Sequence, residues 1–338
     1  MRIKDVAREA GVSTATVSHV INETRYVSEA TRSKVLRAIE QCNYYPNAHA
    51  RSLASGRSQM IGLIVSDISN PFFPDLVKSI EASAFDRGYD VVLSNTSYDS
   101  KRASSYVRRI LERKVAGVAL MTSELDAGLL DELSRRHVSV VLLDLGVAGE
   151  RMSTLVVDYQ VGIDEAIRYL VGLGHRRLAY VGGPHRMSSA LKRLEGFRES
   201  VARTLPGELP PLIYEGDFRL ESGRRAAREI IAAAPRPTAV VVANDMMALG
   251  VMQECRRADL HIPRDISIVG FDDIAFAALA EPPLTTVCLP RAELGKRAVE
   301  ALIAMIERPG QPGVEVSIPT YLITRGSTGP ANGIETAR

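Results

Sequence analysis

The residues whose types and spacing can do chemistry begin at Ser13. In the run Ser13-Thr14-Ala15-Thr16-Val17-Ser18-His19-Val20-Ile21-Asn22, hydrogen-bonding side chains alternate with small and branched apolar ones. At about 100° per residue, Val17, Val20 and Ile21 fall on one side of a helix, and Ala15, Ser18, His19 and Asn22 on the other. The chemistry on offer is recognition rather than bond-making. An alanine methyl can meet a thymine methyl in a major groove, an imidazole can hydrogen-bond a purine N7 or O6, and hydroxyls beside a helix N-terminus suit phosphate oxygens. Motifs for catalysis are missing: no G-x-S-x-G, no H-E-x-x-H, no Walker A lysine and no G-x-G-x-x-G after a strand occur. His175, in Leu173-Gly174-His175-Arg176, reads as a helix-terminus cap rather than a catalyst.

The elements that position the run can be read on either side of it. Lys4 to Ala10 makes a first short helix, and Gly11 ends it cheaply because glycine tolerates left-handed backbone. Ser13 is a natural N-cap for the second helix, and Ser28 for a third, Glu29 to Gln41, whose Val35, Leu36 and Ile39 offer an apolar stripe. Three such helices form a helix-turn-helix unit with the second as reader. Charge agrees: residues 1 to 60 hold nine Lys or Arg against five Asp or Glu, while the whole chain carries only +2. Positive charge lies where a polyanion would dock. Pro46 pushes Tyr45 out of helical geometry. Asn47 can then cap a short helix, Ala48 to Ala54, which Ser55-Gly56-Arg57-Ser58-Gln59 breaks.

From Met60 the period changes. Ile61 to Val65, Tyr89 to Leu93, Val118 to Met121 and Val138 to Leu143 are apolar runs of strand length, separated by amphipathic stretches at Phe73 to Arg87, Ser104 to Arg113 and Asp126 to Arg136. The pattern restarts after Asp158, with helices at Val161 to Leu173, Ala190 to Arg203, Glu221 to Ala233 and Met246 to Arg256. Between them lie strands at Leu178 to Val181, Ala239 to Val242 and Ser267 to Val269. Continuous apolar runs imply strands covered on both faces, hence parallel sheets with helices on each side. The predicted fold is α/β: an all-α helix-turn-helix unit followed by two open, doubly wound lobes. Ligands of such lobes bind at the carboxyl ends of the strands. At 338 residues the chain suits two or three domains. Cys42, Cys255 and Cys288 are scattered without C-x-x-C spacing, so neither a disulfide framework nor a metal site is expected. No apolar run approaches about 18 residues, which predicts a soluble, cytoplasmic protein with no membrane partner.

These motifs together, IKDVAREAGVSTATVSHVIN, YYPNAHARSLASGRSQMIGLIVSDISNPFF, LGHRRLAYVGG, RLEGF and ISIVGFDDIAFAALAEPPLTTV, resemble the LacI/GalR family of bacterial transcriptional repressors over roughly residues 3 to 325. The resemblance implies a homodimer whose paired helix-turn-helix units bind a palindromic DNA operator, with a periplasmic-binding-protein-like core for a small effector. By position it assigns base reading to Thr14, Ala15 and His19, and phosphate contacts to Ser13, Thr16, Ser18, Asn22, Tyr26 and Thr31. Arg25 reaches either a base or a phosphate. Asn47, Ala50, Arg51 and Leu53 fall in its hinge helix, where Leu53 would wedge into a minor-groove base step and kink the duplex. The implied domains are 1–46 for DNA reading, 47–59 for hinge and linker, 60–328 for effector binding and dimerisation, and a tail at 329–338. Within the core, lobe 1 takes about 60–158 plus 290–319 and lobe 2 about 159–289 plus 320–328. Asp158 and Gly162, Leu289-Pro290 and Pro319-Thr320 would mark the crossings.

The effector cleft would draw on Asn70, Phe72, Phe73 and Ser123 from lobe 1, and on Arg193, Phe218, Asn244 and Asp272 from lobe 2. Rings that stack and Arg, Asn and Asp that fix hydroxyls suit a sugar or a nucleobase. The reader helix and Gly216-Asp217-Phe218 resemble the purine-responsive members. Met187 stands where those carry an arginine, however, and Asn244-Asp245 follows the sugar-responsive ones. A sugar or sugar derivative is therefore the favoured effector and a purine the second. No cofactor, metal or enzymatic activity is expected. The competing reading is a cytoplasmic sugar-binding protein without DNA activity, which the reader and hinge argue against.

Overall fold

The structure, a computed structural model, describes residues 2–44, 58–122, 125, 127–145 and 148–331. It divides into two compact units, residues 1–59 and 60–338.

In the first unit α1 (Ile3–Ala10) ends at Gly11, whose φ of 65° turns the chain toward α2 (Thr14–Asn22). The Ser13 hydroxyl accepts from Thr16 N at 3.1 Å and so satisfies a donor that the first turn of a helix leaves unpaired. After α3 (Glu29–Gln41) the three helices close on Val6, Val17 and Val35, all fully buried, joined by Ala7, Val20, Ala38 and Cys42. Two expectations need correcting. Leu36 is 48% exposed, because the α3 stripe that faces the core runs through Val35 and Ala38. Ser28 caps nothing through its side chain; its hydroxyl pairs instead with Thr31 Oγ1 at 2.9 Å.

The second unit holds two six-stranded sheets. The first runs in the order β11-β5-β4-β3-β1-β2, from β1 (Met60–Val65), β2 (Asp90–Asn95), β3 (Gly117–Met121), β4 (Ser139–Leu143), β5 (Met152–Asp158) and β11 (Glu315–Pro319). The second runs β12-β10-β9-β8-β6-β7, from β6 (Leu178–Gly182), β7 (Leu212–Glu215), β8 (Ala239–Val242), β9 (Ser267–Asp272), β10 (Thr285–Cys288) and β12 (Tyr321–Ile323). Every residue of β3, β6, β8 and β9 is buried, as continuous apolar runs between two helix layers require. All neighbours pair in parallel except β12, which runs antiparallel to β10, so the second lobe is not wholly parallel. The sequence reading placed no element at β5, β7, β10, β11 or β12. β7, β10 and β12 have four residues or fewer, and β5 opens Met-Ser-Thr, so none presents a long apolar run.

Helices α4 (Phe72–Phe85), α5 (Ser100–Glu112), α6 (Ala127–Arg135) and α12 (Arg291–Glu307) belong to the first lobe. Helices α7 (Tyr159–Gly172), α8 (Ser188–Thr204), α9 (Leu220–Ala232), α10 (Asp245–Arg257) and α11 (Ala275–Leu279) belong to the second. The chain passes between the lobes at Asp158 to Tyr159, at Cys288 to Arg291 and at Pro319 to Tyr321. The first and third passages are tied together, since Thr320 Oγ1 donates to Asp158 O at 2.7 Å and accepts from Gly162 N at 3.1 Å.

The expected tail does not begin at Gly329. His175 is buried, with Nδ1 paired to Thr238 Oγ1 and Nε2 to Gly329 O, both at 3.0 Å, and Ala331 N donates to Leu173 O at 2.9 Å. His175 therefore fastens the C-terminal segment onto the second lobe through its ring, beyond the helix-end role its position suggests. Burial lowers its pKa, which keeps the ring neutral and able to accept as well as donate.

Candidate DNA-reading and effector-binding sites

On the first unit, Ser13, Thr14 and Ala15 are exposed, while Thr16, Ser18, His19 and Asn22 are half-buried beside them. His19 Nδ1 pairs with Thr24 Oγ1 at 2.8 Å, which orients the ring and leaves Nε2 as its outward polar atom. Asn22 departs from the expected open face. Its Nδ2 donates back to Ser18 Oγ at 3.2 Å, and its Oδ1 is buried without a partner among the described residues. Arg25 and Tyr26 follow the helix in the open, Tyr26 at 92% exposure, and Thr31 stands in the first turn of α3. Asn47, Ala50, Arg51 and Leu53 lie outside the described residues, as does Ser123.

On the second unit, Asn70, Phe72, Phe73, Arg193, Phe218, Asn244 and Asp272 converge on a single cavity of about 70 Å³ between the lobes, at the carboxyl ends of the strands. Space that narrow brings both walls within reach of one small molecule. Arg193 is its centre. The guanidinium donates to Ala243 O and, at 3.3 Å, to Asp272 Oδ1, and its carbon lies 4.1 Å from the Phe271 ring centre and 5.1 Å from that of Tyr159. Its Nε has no partner among the described residues. Burial works to lower the Arg193 pKa, but Asp272 and Tyr159 outweigh it, and the residue stays charged.

Asp272 is strained and desolvated. Its φ is 109°, its carbonyl accepts from Arg291 on α12, and burial pushes its carboxyl up to about 6 against the opposing pull of Arg193 and Arg291. Asn244 has a different part from the one expected. Its Oδ1 accepts from Met247 N at 2.9 Å as the cap of α10, and its Nδ2 donates to Phe218 O at 2.9 Å. It lines the cavity but uses its polar atoms to hold Phe218 in place. Asn70 does a similar service, accepting from Phe72 N at 3.1 Å.

Sequence reasoning missed Tyr98, Asp144, Tyr159 and Met187 as neighbours in the same wall, although Met187 was weighed for ligand type. Asp144 directly follows β4, which the sequence placed, so the strand-end rule already pointed to it, and Tyr159 directly follows β5, so the same rule would have found it had β5 been recognised. The buried Tyr159 hydroxyl donates to Asp144 Oδ2, and burial with the adjacent carboxylate raises its pKa well above the usual range. Lys192 Nζ lies 3.5 Å from Asp144 Oδ1. The charges in the wall are thus matched, Arg193 by Asp272 and Asp144 by Lys192.

The Asp272 carboxyl yields a pH expectation. With a folded pKa near 6 against an unfolded value near 3.8, the folded state binds the extra proton between those limits. Its contribution to stability is present below about pH 4, fades as pH rises to 6 by about 3 kcal/mol, and is constant above. A ligand hydroxyl that donates to the ionised carboxylate gives the opposite trend in binding. Affinity, read by calorimetry from pH 8 to 5, should fall through a midpoint near 6 in the wild type and be flat in Asp272→Asn.

A helix-turn-helix unit with an open, hydroxyl-rich second helix, joined to a two-lobed core with a polar and aromatic cleft, is the build of a ligand-responsive DNA-binding regulator. Residues 2–47 match the profile described as bacterial regulatory proteins, lacI family, and residues 167–328 match a periplasmic binding protein-like domain. The ribose operon repressor of Escherichia coli strain K12 is 39% identical over 328 residues, 96% of this chain and 99% of that protein. The HTH-type transcriptional repressor PurR of Photobacterium profundum is 38% identical over 306 residues, 90% and 92% of the two chains. Among solved structures, a lac repressor dimer bound to operator and the anti-inducer ONPF superposes with a TM-score of 0.86 at 30% identity, covering 97% of this chain and 99% of that one. A LacI family regulator from Enterococcus faecium with bound ribose gives 0.73 at 27% identity, covering 81% and 100%. The chain belongs to the lacI family of bacterial regulatory proteins. Among the described residues no helix is long and apolar enough to cross a membrane.

Proposed function

We propose that this protein is a transcriptional repressor that binds a palindromic operator as a homodimer and whose hold on DNA is set by a sugar, a pentose such as D-ribose being the first to try. The observation that carries the choice is the cleft wall. A single buried guanidinium, Arg193, is neutralised by Asp272 and stacked among aromatic rings, and the apolar Met187 lines the wall at the position where, by the resemblance, purine-responsive members carry an arginine. Paired charges and flat rings suit an uncharged polyol, whose ring faces stack while its hydroxyls bridge donor and acceptor. Similarity to both a ribose operon repressor and PurR leaves purines as the second class. A thermal-shift screen of pentoses, hexoses and purines separates them, since a ligand at about 100 times its Kd should stabilise by about 2.7 kcal/mol. A purine response with no sugar response would overturn the sugar assignment.

In this reading Thr14, Ala15 and His19 read bases, Arg25 reaches a base or phosphate, and Ser13, Thr16, Ser18, Tyr26 and Thr31 hold the backbone. Asn22 shares that last role only if its amide turns away from Ser18. His19→Ala should cost about 1–3 kcal/mol of discrimination at one symmetric pair of operator positions. An unchanged consensus in a site selection would exclude His19 as a base reader. Leu53→Ala tests the hinge assignment. Operator affinity should drop much more than affinity for random duplex, because only the specific complex contains a kinked step, and equal losses on both would remove the wedge from the mechanism.

A further inference from the structure

Tyr98 follows β2 in the first lobe, and Ser97 and Tyr98 stand in succession with φ of 55° and 60°. Left-handed backbone at consecutive non-glycine residues persists only where the surroundings over-determine it. Here Thr96 N donates to Val65 O at 3.0 Å, Tyr98 N to Ser66 O at 3.3 Å and Asn95 Nδ2 to Ser97 Oγ at 3.0 Å, while Asp99 caps α5 through Lys101 N at 2.8 Å. The facing loop of the second lobe is braced in the same manner. Phe218 has φ of 65°, its carbonyl accepts from Asn244 Nδ2, and Arg219 N donates to Asp217 Oδ1 at 2.9 Å. Two stiff loops, one from each lobe, present side chains to each other. The Tyr98 ring centre lies 6.4 Å from that of Phe218 with 31° between the planes, and the Arg219 guanidinium lies 6.0 Å from the Tyr98 ring centre. Tyr98 and Phe218 both line the cavity.

We infer that Tyr98 is a closure residue of the cleft: by meeting Phe218 and Arg219 across the mouth, it biases the lobes toward the closed arrangement and slows the escape of a bound molecule. This rests on the cleft being the effector site. The contact spans the lobes, so a rotation that opens the cleft breaks it, and the braced loops cannot follow by bending. A cation beside an aromatic face is attractive, more so once desolvated, and whatever favours the closed state raises the fraction competent to hold ligand. The sequence reading assigned Phe218 to the cleft but neither Tyr98 nor Arg219.

The chain contains no tryptophan, so Tyr98→Trp in the full-length protein places a single indole at the mouth. Without any ligand its emission should be shielded from acrylamide, and adding Arg219→Ala should raise the quenching constant about two- to fivefold, the population change that a surface cation–aromatic contact supports. Quenching like that of a free indole and indifferent to Arg219→Ala would overturn the contact. With D-ribose as probe, Tyr98→Ala should release ligand about tenfold faster while Tyr98→Phe keeps most of the wild-type rate, since stacking between rings is what is lost. An unchanged release rate in Tyr98→Ala would overturn the sealing role. Should the wild type bind no pentose, hexose or purine, the effector reading falls, and the quenching experiment still decides the contact.

Discussion

Arg193→Ala is expected to abolish the effector response, with affinity for D-ribose reduced more than about 100-fold, while operator affinity measured without ligand stays that of the ligand-free wild type. The guanidinium is the buried cation of the cleft wall, holds Asp272 and Ala243 O together, and sits against Phe271 and Tyr159. Losing a charged hydrogen-bond donor from a desolvated site costs about 3 kcal/mol or more of binding, chiefly because the ligand's oxygens then find no partner. Folding is weakened as well. Breaking a buried ion pair costs about 3–5 kcal/mol when the remaining charge stays ionised. Asp272 already sits near pKa 6 through burial, and without Arg193 it moves higher and takes up a proton instead. The melting deficit of Arg193→Ala should therefore be larger at about pH 7.5 than at about pH 5.5, and Asp272→Asn added to it should recover stability but not binding. Wild-type ribose affinity in Arg193→Ala would remove this residue from the site.

Gly223→Ala should unfold the second lobe or come close to it, at a cost of about 4 kcal/mol or more read by chemical denaturation. Gly223 lies on α9 where it crosses α10, and an added Cβ would stand 2.0 Å from Met247 O and 2.8 Å from Met247 Cα. Those are backbone atoms, so no rotamer change relieves the clash and the two helices must separate. Met247 N in turn is held by Asn244, which also holds Phe218, so separation would reach the cleft wall. Gly172→Ala is the contrasting case. At the end of α7 its Cβ would meet nothing within 4 Å, and the change should be neutral or stabilise by up to about 1 kcal/mol. A small effect at Gly223 would mean that the crossing is looser than its geometry.

Most of the helical elements were legible because period and punctuation agree: α3 occupies Glu29–Gln41 as read, and Ser13 caps α2. Helix α12 was not assigned, although Leu294, Ala298, Leu302 and Met305 form a buried stripe between the charged residues Glu293, Lys296, Arg297 and Glu300. That signal was present in the residues. The engagement of Asn244 was not, since an Asn before a helix reads equally as a cap or as a ligand contact, and only the position of Phe218 O shows that both amide ends are occupied.

What the amino-acid sequence determined by itself is whatever depends on near neighbours. A face of hydroxyls and His19 opposite Val17 and Val20 follows from helical period alone, and alternating strands and helices follow from runs of Val, Ile and Leu. Motif order added the family. What only the tertiary structure decided depends on residues far apart in the chain. Asp272 becomes a carboxyl of pKa near 6 because packing buries it in a dry site, and Arg193 and Arg291, brought beside it from elsewhere in the chain, hold the rise in check. Gly223 becomes intolerant of a methyl because Met247 lies against it, and Tyr98 gains a partner because a loop from the other lobe comes to meet it. Desolvation, close approach and contact across a cleft are properties of the packed chain, and no local pattern carries them.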